Sequence, residues 1–261
     1  MSPNQGKFVW YELLTHDTRI AATFYQKLVG WTAQEITPEG GGADCLYTLL
    51  HLGDSQIAGA MAIPEEARVR GVPPCWTGYI WVEDVDVTAA RIIAAGGTIH
   101  RPGEDIPGVG RFAVAADPQG AVFVIFRDVS GPPTPPPAPG TPGQFTWHEL
   151  HADNQQTVFP FYADLFGWEK GPVVDMGPLG PYQIVTHNGV PIGGILNRIP
   201  AIPRAFWLYY LGVEALDAAL TRLREAGGHV LAGPHQVPGG NWVAQCLDPQ
   251  GAFFALISPT L

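Results

Sequence analysis

Cysteine is scarce in this sequence, and so is positive charge. The three cysteines, Cys45, Cys75 and Cys246, stand far apart and form no CxxC pair. That spacing argues against a disulfide framework or a zinc site and suits reduced thiols in a cytoplasmic protein. Lysine and arginine number 14 against 24 acidic residues, a formal charge of −10. An acidic surface argues against nucleic acid and anionic membranes as partners. No apolar run reaches the ~20 residues that span a bilayer. The opening M-S-P-N-Q-G-K-F lacks the basic-then-apolar pattern of a secretory leader. Also missing are G-x-x-x-x-G-K-S/T, a G-x-G-x-x-G after a strand, G-x-S-x-G and H-E-x-x-H. With them go the common signatures of phosphate-loop, dinucleotide, serine-hydrolase and zinc-protease chemistry.

What the sequence has is a repeat. Residues 8–31, F-V-W-Y-E-L-L-T-H-D-T-R-I-A-A-T-F-Y-Q-K-L-V-G-W, return without a gap at 145–168 as F-T-W-H-E-L-H-A-D-N-Q-Q-T-V-F-P-F-Y-A-D-L-F-G-W. Phe8, Trp10, Glu12, Leu13, Phe24, Tyr25, Leu28, Gly30 and Trp31 recur as Phe145, Trp147, Glu149, Leu150, Phe161, Tyr162, Leu165, Gly167 and Trp168. A later landmark, D-P-Q-G-A, appears at Asp117–Ala121 and again at Asp248–Ala252. Repeats of this length are domains rather than solenoid units. With 261 residues, 46% apolar and 11% aromatic, each copy has material for its own core. Between them, G-P-P-T-P-P-P-A-P-G-T-P-G at 131–143 predicts a stiff, extended linker, with a proline-rich recognition segment as the alternative. The expected domains are therefore 1–130 and 144–261.

Each copy contains a smaller repeat. Residues 8–14 alternate and are rich in aromatic residues, which predicts a strand. Trp10 and Glu12 then share a face, as do Trp147 and Glu149. Asp17 is placed to cap a helix that ends at Gly30. Three short strands follow, near 31–36, 45–52 and 57–63. A second β-α-β-β-β unit starts at Trp76, with Asp84 or Asp86 as the helix cap and D-P-Q-G as the turn before the last strand. In the second copy, Pro160 falls inside the first helix and predicts a late start or a kink. Glu214 or Asp217 is expected to open the last helix.

The fourfold β-α-β-β-β pattern, F-Y-x-x-L-x-G-W after the first helix and D-P-x-G before the last strand together resemble the vicinal oxygen chelate superfamily. That superfamily includes glyoxalase I, extradiol dioxygenases and the fosfomycin- and bleomycin-resistance proteins. The resemblance implies an α+β fold of two tandem domains, each pairing two units into an open eight-stranded half-barrel cleft. It also implies a metal held by His, Glu or Gln on three strands. The matching positions here are Trp10, Thr77 and Val124 in the first copy, and Trp147, Leu208 and Ala255 in the second. None is a usual ligand, so the expectation is no cofactor: a divalent metal remains a property of the family, but its usual ligand positions are lost.

In place of ligands, each copy offers an indole and, two residues on, a carboxylate. Glu12 and Glu149 are the candidate general bases, against a structural carboxylate tied to the backbone or an arginine. Trp10, Thr77, Trp147, Tyr47, Tyr182, Arg111, Trp242 and His151 are the candidate substrate-binding residues. Tyr47 and Tyr182 fall on equivalent middle strands, with core packing as the alternative. Arg111 and Trp242 sit beside the glycine-rich turns at 108–111 and 239–242; Arg111 is a candidate anion anchor against an ordinary surface arginine. His151 shares the face of Glu149 and can pair with it or form an off-position metal site, against an ordinary histidine at the rim; His148 points the other way. The expected function is metal-independent binding or transformation of an aromatic or amphipathic metabolite or antibiotic. The expected partner is that small molecule, and the expected oligomeric state is a monomer by internal duplication or a homodimer. The rivals are a metal-dependent lyase or dioxygenase with displaced ligands Glu12, Glu149 and His151, and a non-catalytic scaffold.

Overall fold

A computed structural model describes residues 4–37, 46–129 and 141–261. The proline-rich segment and Cys45 fall largely or wholly outside the described residues. The first copy opens with β1 (Phe8–Thr15), α1 (Thr18–Val29), β2 (Thr32–Ile36), β3 (Tyr47–Leu52) and β4 (Ser55–Ala62). A short helix, α2 (Glu65–Val69), leads to β5 (Cys75–Trp81), α3 (Val85–Ala94), β6 (Thr98–Ile106), β7 (Gly110–Ala116) and β8 (Val122–Asp128). The second copy gives β9 (Phe145–Ala152), α4 (Gln155–Phe166), β10 (Glu169–Asp175), β11 (Pro181–His187) and β12 (Val190–Asn197). It closes with β13 (Phe206–Gly212), α5 (Leu216–Glu225), β14 (His229–Gln236), β15 (Trp242–Leu247) and β16 (Phe253–Ser258).

There are two eight-stranded sheets, ordered β2-β3-β4-β1-β5-β8-β7-β6 and β10-β11-β12-β9-β13-β16-β15-β14. Their identical order is the duplication seen in the sequence. No helix among the described residues is long and apolar enough to cross a membrane.

The helix ends follow local chemistry. Asp17 accepts from the backbone N–H of Arg19 and Ile20, and Asn154 does the same for Gln156 and Thr157. Both helices end on a left-handed glycine, Gly30 and Gly167. Asp84 caps α3 through Val87. Three expectations need correction. The last helix is capped at Ala215 with no side-chain bond, and Asp217 lies in its first turn instead. Pro160 does not delay α4, which starts at its Asn154 cap and runs through it. Residues 169–175 form a strand that the sequence did not suggest, with its ladder shifted between Lys170 and Val173.

Compactness divides the chain in an unexpected way. One unit holds residues 4–9, 78–129 and 148–208; the other holds 10–77, 141–147 and 209–261. Each unit therefore joins half of one copy to half of the other. The same contacts build both. In one, the Trp168 indole donates to the Gly6 carbonyl (2.8 Å), Gln119 exchanges two bonds with the Asn154 backbone (both 2.9 Å), and Arg91 donates to the Asp164 carbonyl. In the other, Trp31 donates to the Gly143 carbonyl (2.7 Å), Gln250 exchanges two bonds with the Asp17 backbone, and Arg222 donates to the Leu28 carbonyl. The bonds to the Asp164 and Leu28 carbonyls and to the Asn154 and Asp17 N–H groups satisfy backbone groups that helix ends leave unpaired.

The shared F-Y and D-P-Q-G motifs also meet across copies. Trp207 donates to the Tyr162 hydroxyl, which donates to the Asp117 carboxylate at 2.9 Å. Trp76 donates to the Tyr25 hydroxyl at 2.7 Å. Burial, and then the neighbouring Asp248, push the Tyr25 phenol well up. Burial likewise raises Asp117 and Asp248, against the backbone N–H groups that hold them down.

Candidate functional site

In the first copy, β1 and β4 run in parallel with Glu12 opposite Gly59. Partners in a ladder point to the same face of a sheet. Gly59 has no side chain, and the Tyr47 ring from β3 lies in the space that leaves. A Cβ on Gly59 would stand 1.8 Å from the Tyr47 hydroxyl. The ring thus crosses β4 to reach β1. Its hydroxyl accepts from the Trp10 indole at 3.1 Å and donates to Glu12 Oε2 at 3.1 Å. Burial, followed by the Glu12 carboxylate, holds the Tyr47 phenol well above its usual range. It stays protonated and acts as a donor to Glu12.

Two residues of β5 complete this cluster. Cys75 is pushed up to about 11, chiefly by burial, with the Thr77 hydroxyl pulling the other way and Glu12 adding to the rise. It is a thiol at neutral pH, and a thiol is a poor nucleophile.

The second copy has the same notch. Glu149 on β9 lies opposite Gly194 on β12. A Cβ on Gly194 would stand 2.1 Å from the Tyr182 ring. Tyr182 therefore shares the face of Glu149. Here the carboxylate has a different neighbour: His151 Nε2 lies 2.7 Å from Glu149 Oε1. Phe206, the first residue of β13, stacks on the imidazole with centroids 4.5 Å apart and planes 11° apart. Glu149 and His151 are 8% and 6% exposed, so this pair is nearly closed off. Their positions correspond to Glu12 and Leu14 in the first copy, and that of Phe206 to Cys75.

His148 faces away, as the alternation requires. Its Nδ1 meets the Ile192 carbonyl at 2.6 Å and its ring stacks on Phe8 at 3.8 Å. Burial lowers it to about 4, against the raising effect of the Ile192 bond.

The remaining candidates lie elsewhere. The Arg111 guanidinium bridges Asp86 (3.0 Å) and Asp105 (2.9 Å), which raise it; an anionic ligand would have to displace them. Trp242 opens β15 opposite Gln236 and Ser258, and Trp147 lies half-buried on β9. Sequence reasoning missed Gly59, Gly194, Cys75 and Phe206. The glycines did leave a signal, since a glycine inside a strand marks a close approach of another group.

The residues at the six positions that the resemblance marks for metal do not fit a divalent cation. Two indoles, a threonine and three aliphatic side chains supply neither carboxylate nor imidazole. Among the described residues no three or more His, Cys, Asp and Glu side chains group closely enough to hold an ion.

Comparison with known proteins agrees with this architecture. The chain is 32% identical over 266 residues to the anthracycline biosynthesis protein DauV of Streptomyces sp. (strain C5), covering 97% of this chain and 93% of that one. It is 29% identical over 259 residues to the putative glyoxylase CFP32 of Mycobacterium tuberculosis (strain CDC 1551 / Oshkosh), covering 98% and 95%. Among solved structures it resembles the Mn(II)-bound glyoxalase from Novosphingobium aromaticivorans, with a TM-score of 0.63 at 17% identity over 99% of this chain and 83% of that one. It also resembles the 2,3-dioxygenase LapB from Pseudomonas sp. KL28, with a TM-score of 0.64 at 13% identity over 98% and 93%. At such identities the likeness is one of fold. The family model matches residues 7–125 and again 144–256, and the chain belongs to the Glyoxalase/Bleomycin resistance protein/Dioxygenase superfamily.

Proposed function

We propose that the chain is a metal-independent member of this superfamily that binds, or transforms by proton transfer, an aromatic or amphipathic small molecule. One observation carries this: each copy sets a carboxylate, Glu12 or Glu149, opposite a strand glycine over which a tyrosine, Tyr47 or Tyr182, is laid. A carboxylate beside aromatic rings, half-buried at Glu12 and buried at Glu149, suits a ligand with an apolar body and a hydroxyl or amine to bond. In this proposal Glu12 and Glu149 are the acid–base groups. Trp10, Tyr47 and Thr77 beside Glu12, and His151 and Tyr182 beside Glu149, contact the ligand. An aromatic ligand is in keeping with the relative named for anthracycline biosynthesis. The protein would act in the cytoplasm, as a monomer by duplication or as a homodimer.

Native mass spectrometry of the untagged protein, with metal analysis of the same sample, tests this reading. A co-purifying organic molecule and less than stoichiometric metal are expected. One tightly bound ion per chain, lost together with ligand binding on chelation, would overturn the metal-independent part.

A further inference from the structure

We propose that His151, oriented by Glu149, accepts the proton of an acidic hydroxyl on a planar aromatic ligand, a step the second copy alone performs. This rests on the small-molecule function above and names the ligand class and the chemistry of one site.

A strand-to-itself pair needs a reason. Glu149 and His151 are two residues apart on β9, which is already held by its ladder to β12. A bond between them ties no additional element together. Taking both groups largely out of water costs free energy that a purely structural pair would not recover. Nor does the fold require the pair, since the first copy builds the same strands with Leu14 and Cys75 at the positions of His151 and Phe206.

A carboxylate is an acceptor, and in this proposal the imidazole is the tautomer that donates from Nε2 to Glu149 Oε1. That leaves Nδ1 as a lone-pair acceptor. Among the described residues Nδ1 makes no hydrogen bond, and it is not among the fully enclosed polar atoms. Nδ1 is therefore an open acceptor that a ligand hydroxyl can reach. Phe206 fixes the ring plane from one side, and Tyr182 borders the carboxylate on the same face. The wall is aromatic and the open ring nitrogen can accept a proton, which suits a flat ring bearing an O–H.

In the step, the ligand O–H bond breaks and a bond from hydrogen to Nδ1 forms. The electron pair stays on oxygen, giving a phenolate. The imidazolium so formed is stabilised by the Glu149 carboxylate. Acid–base transfer works best when donor and acceptor are closely matched, and an imidazole matches hydroxyls acidified by a neighbouring carbonyl better than simple phenols. Glu149 is here a positioning residue acting through His151.

The probe is alizarin, a hydroxyanthraquinone whose visible spectrum reports ionisation. It is titrated against wild type, His151→Gln and Glu149→Gln from acid to neutral pH, with folding checked by circular dichroism. Wild type is expected to bind the dye and to ionise it about one pH unit below the free dye, a tenfold change in acidity. His151→Gln should bind the dye more weakly and lose the shift, while Glu149→Gln should keep only part of it. A bound dye with an unshifted spectrum, or with the same shift in His151→Gln, overturns the His151 step and leaves the binding function standing. Dye that does not bind wild type at all overturns both. Should His151→Gln misfold, the tautomer is read in wild type by nitrogen-15 NMR. Protonation at Nε2 with a dye-sensitive Nδ1 supports the proposal, and protonation at Nδ1 overturns it.

Discussion

At the scale of single residues, the most consequential positions combine burial with a small change in size or charge. His148 is buried neutral, with its pKa lowered to about 4. A depressed pKa means the unfolded chain binds the proton more readily. The stabilising contribution is therefore full above the ordinary imidazole value and is lost as pH falls through about 4. The linked loss amounts to about 3 kcal/mol. Between pH 7 and pH 4 the thermal midpoint of wild type should fall relative to that of His148→Phe, because the variant keeps a ring on Phe8 but has no proton to bind. Parallel curves would refute this. Gly59 is the other such position. Gly59→Ala places a methyl group where the Tyr47 ring lies, so the ring must move and its bonds to Trp10 and Glu12 break. Urea unfolding should show a loss of about 1–3 kcal/mol, with a change in tryptophan emission from Trp10. Strand alternation put His151 on the face of Glu149, which allowed their pairing without requiring it. The Tyr47–Glu12 bond was not, because it depends on a register that places Gly59 between them.

At the scale of elements, strong periodicity was readable and weak periodicity was not. Asp17 and Gly30 located α1, and Gly167 the end of α4, because such residues act locally; the Asn154 cap at the start of α4 went unread. β10 escaped because E-K-G-P-V-V-D interrupts any alternation with glycine and proline, which an edge strand tolerates. Tertiary pairing with β11 supplies what propensity lacks. The course of α4 through Pro160 is a second case. Seven buried side chains hold that helix, among them Phe161, Tyr162, Leu165 and Phe166, and their packing outweighs one missing hydrogen bond. The first copy has Thr23 at the same position. Pro160→Ala should restore the N–H and raise stability by about 1–2 kcal/mol, read as a higher thermal midpoint with an unchanged far-ultraviolet spectrum. A lower midpoint would mean that the proline helps by stiffening the unfolded chain.

At the scale of the whole molecule, the sequence shows two copies but not how they are used. Each compact unit draws on both, and the bonds that join them repeat: Trp168 to Gly6 and Trp31 to Gly143, Gln119 to Asn154 and Gln250 to Asp17. A protease site placed within 131–143 should therefore cut the backbone without parting the fragments, which are expected to leave a gel-filtration column together. Separate elution would contradict the division of the chain described above. Tyr162 answers to Asp117 in the other copy, while the Glu149–His151 pair stays inside its own. The bonds that join the copies thus recur in both, while the Glu149–His151 pair has no counterpart in the first copy, where Leu14 stands at the position of His151. A lineage built this way can lend one hollow to chemistry and keep the other for grip, yet it can never discard either, since each is half of its sibling's foundation.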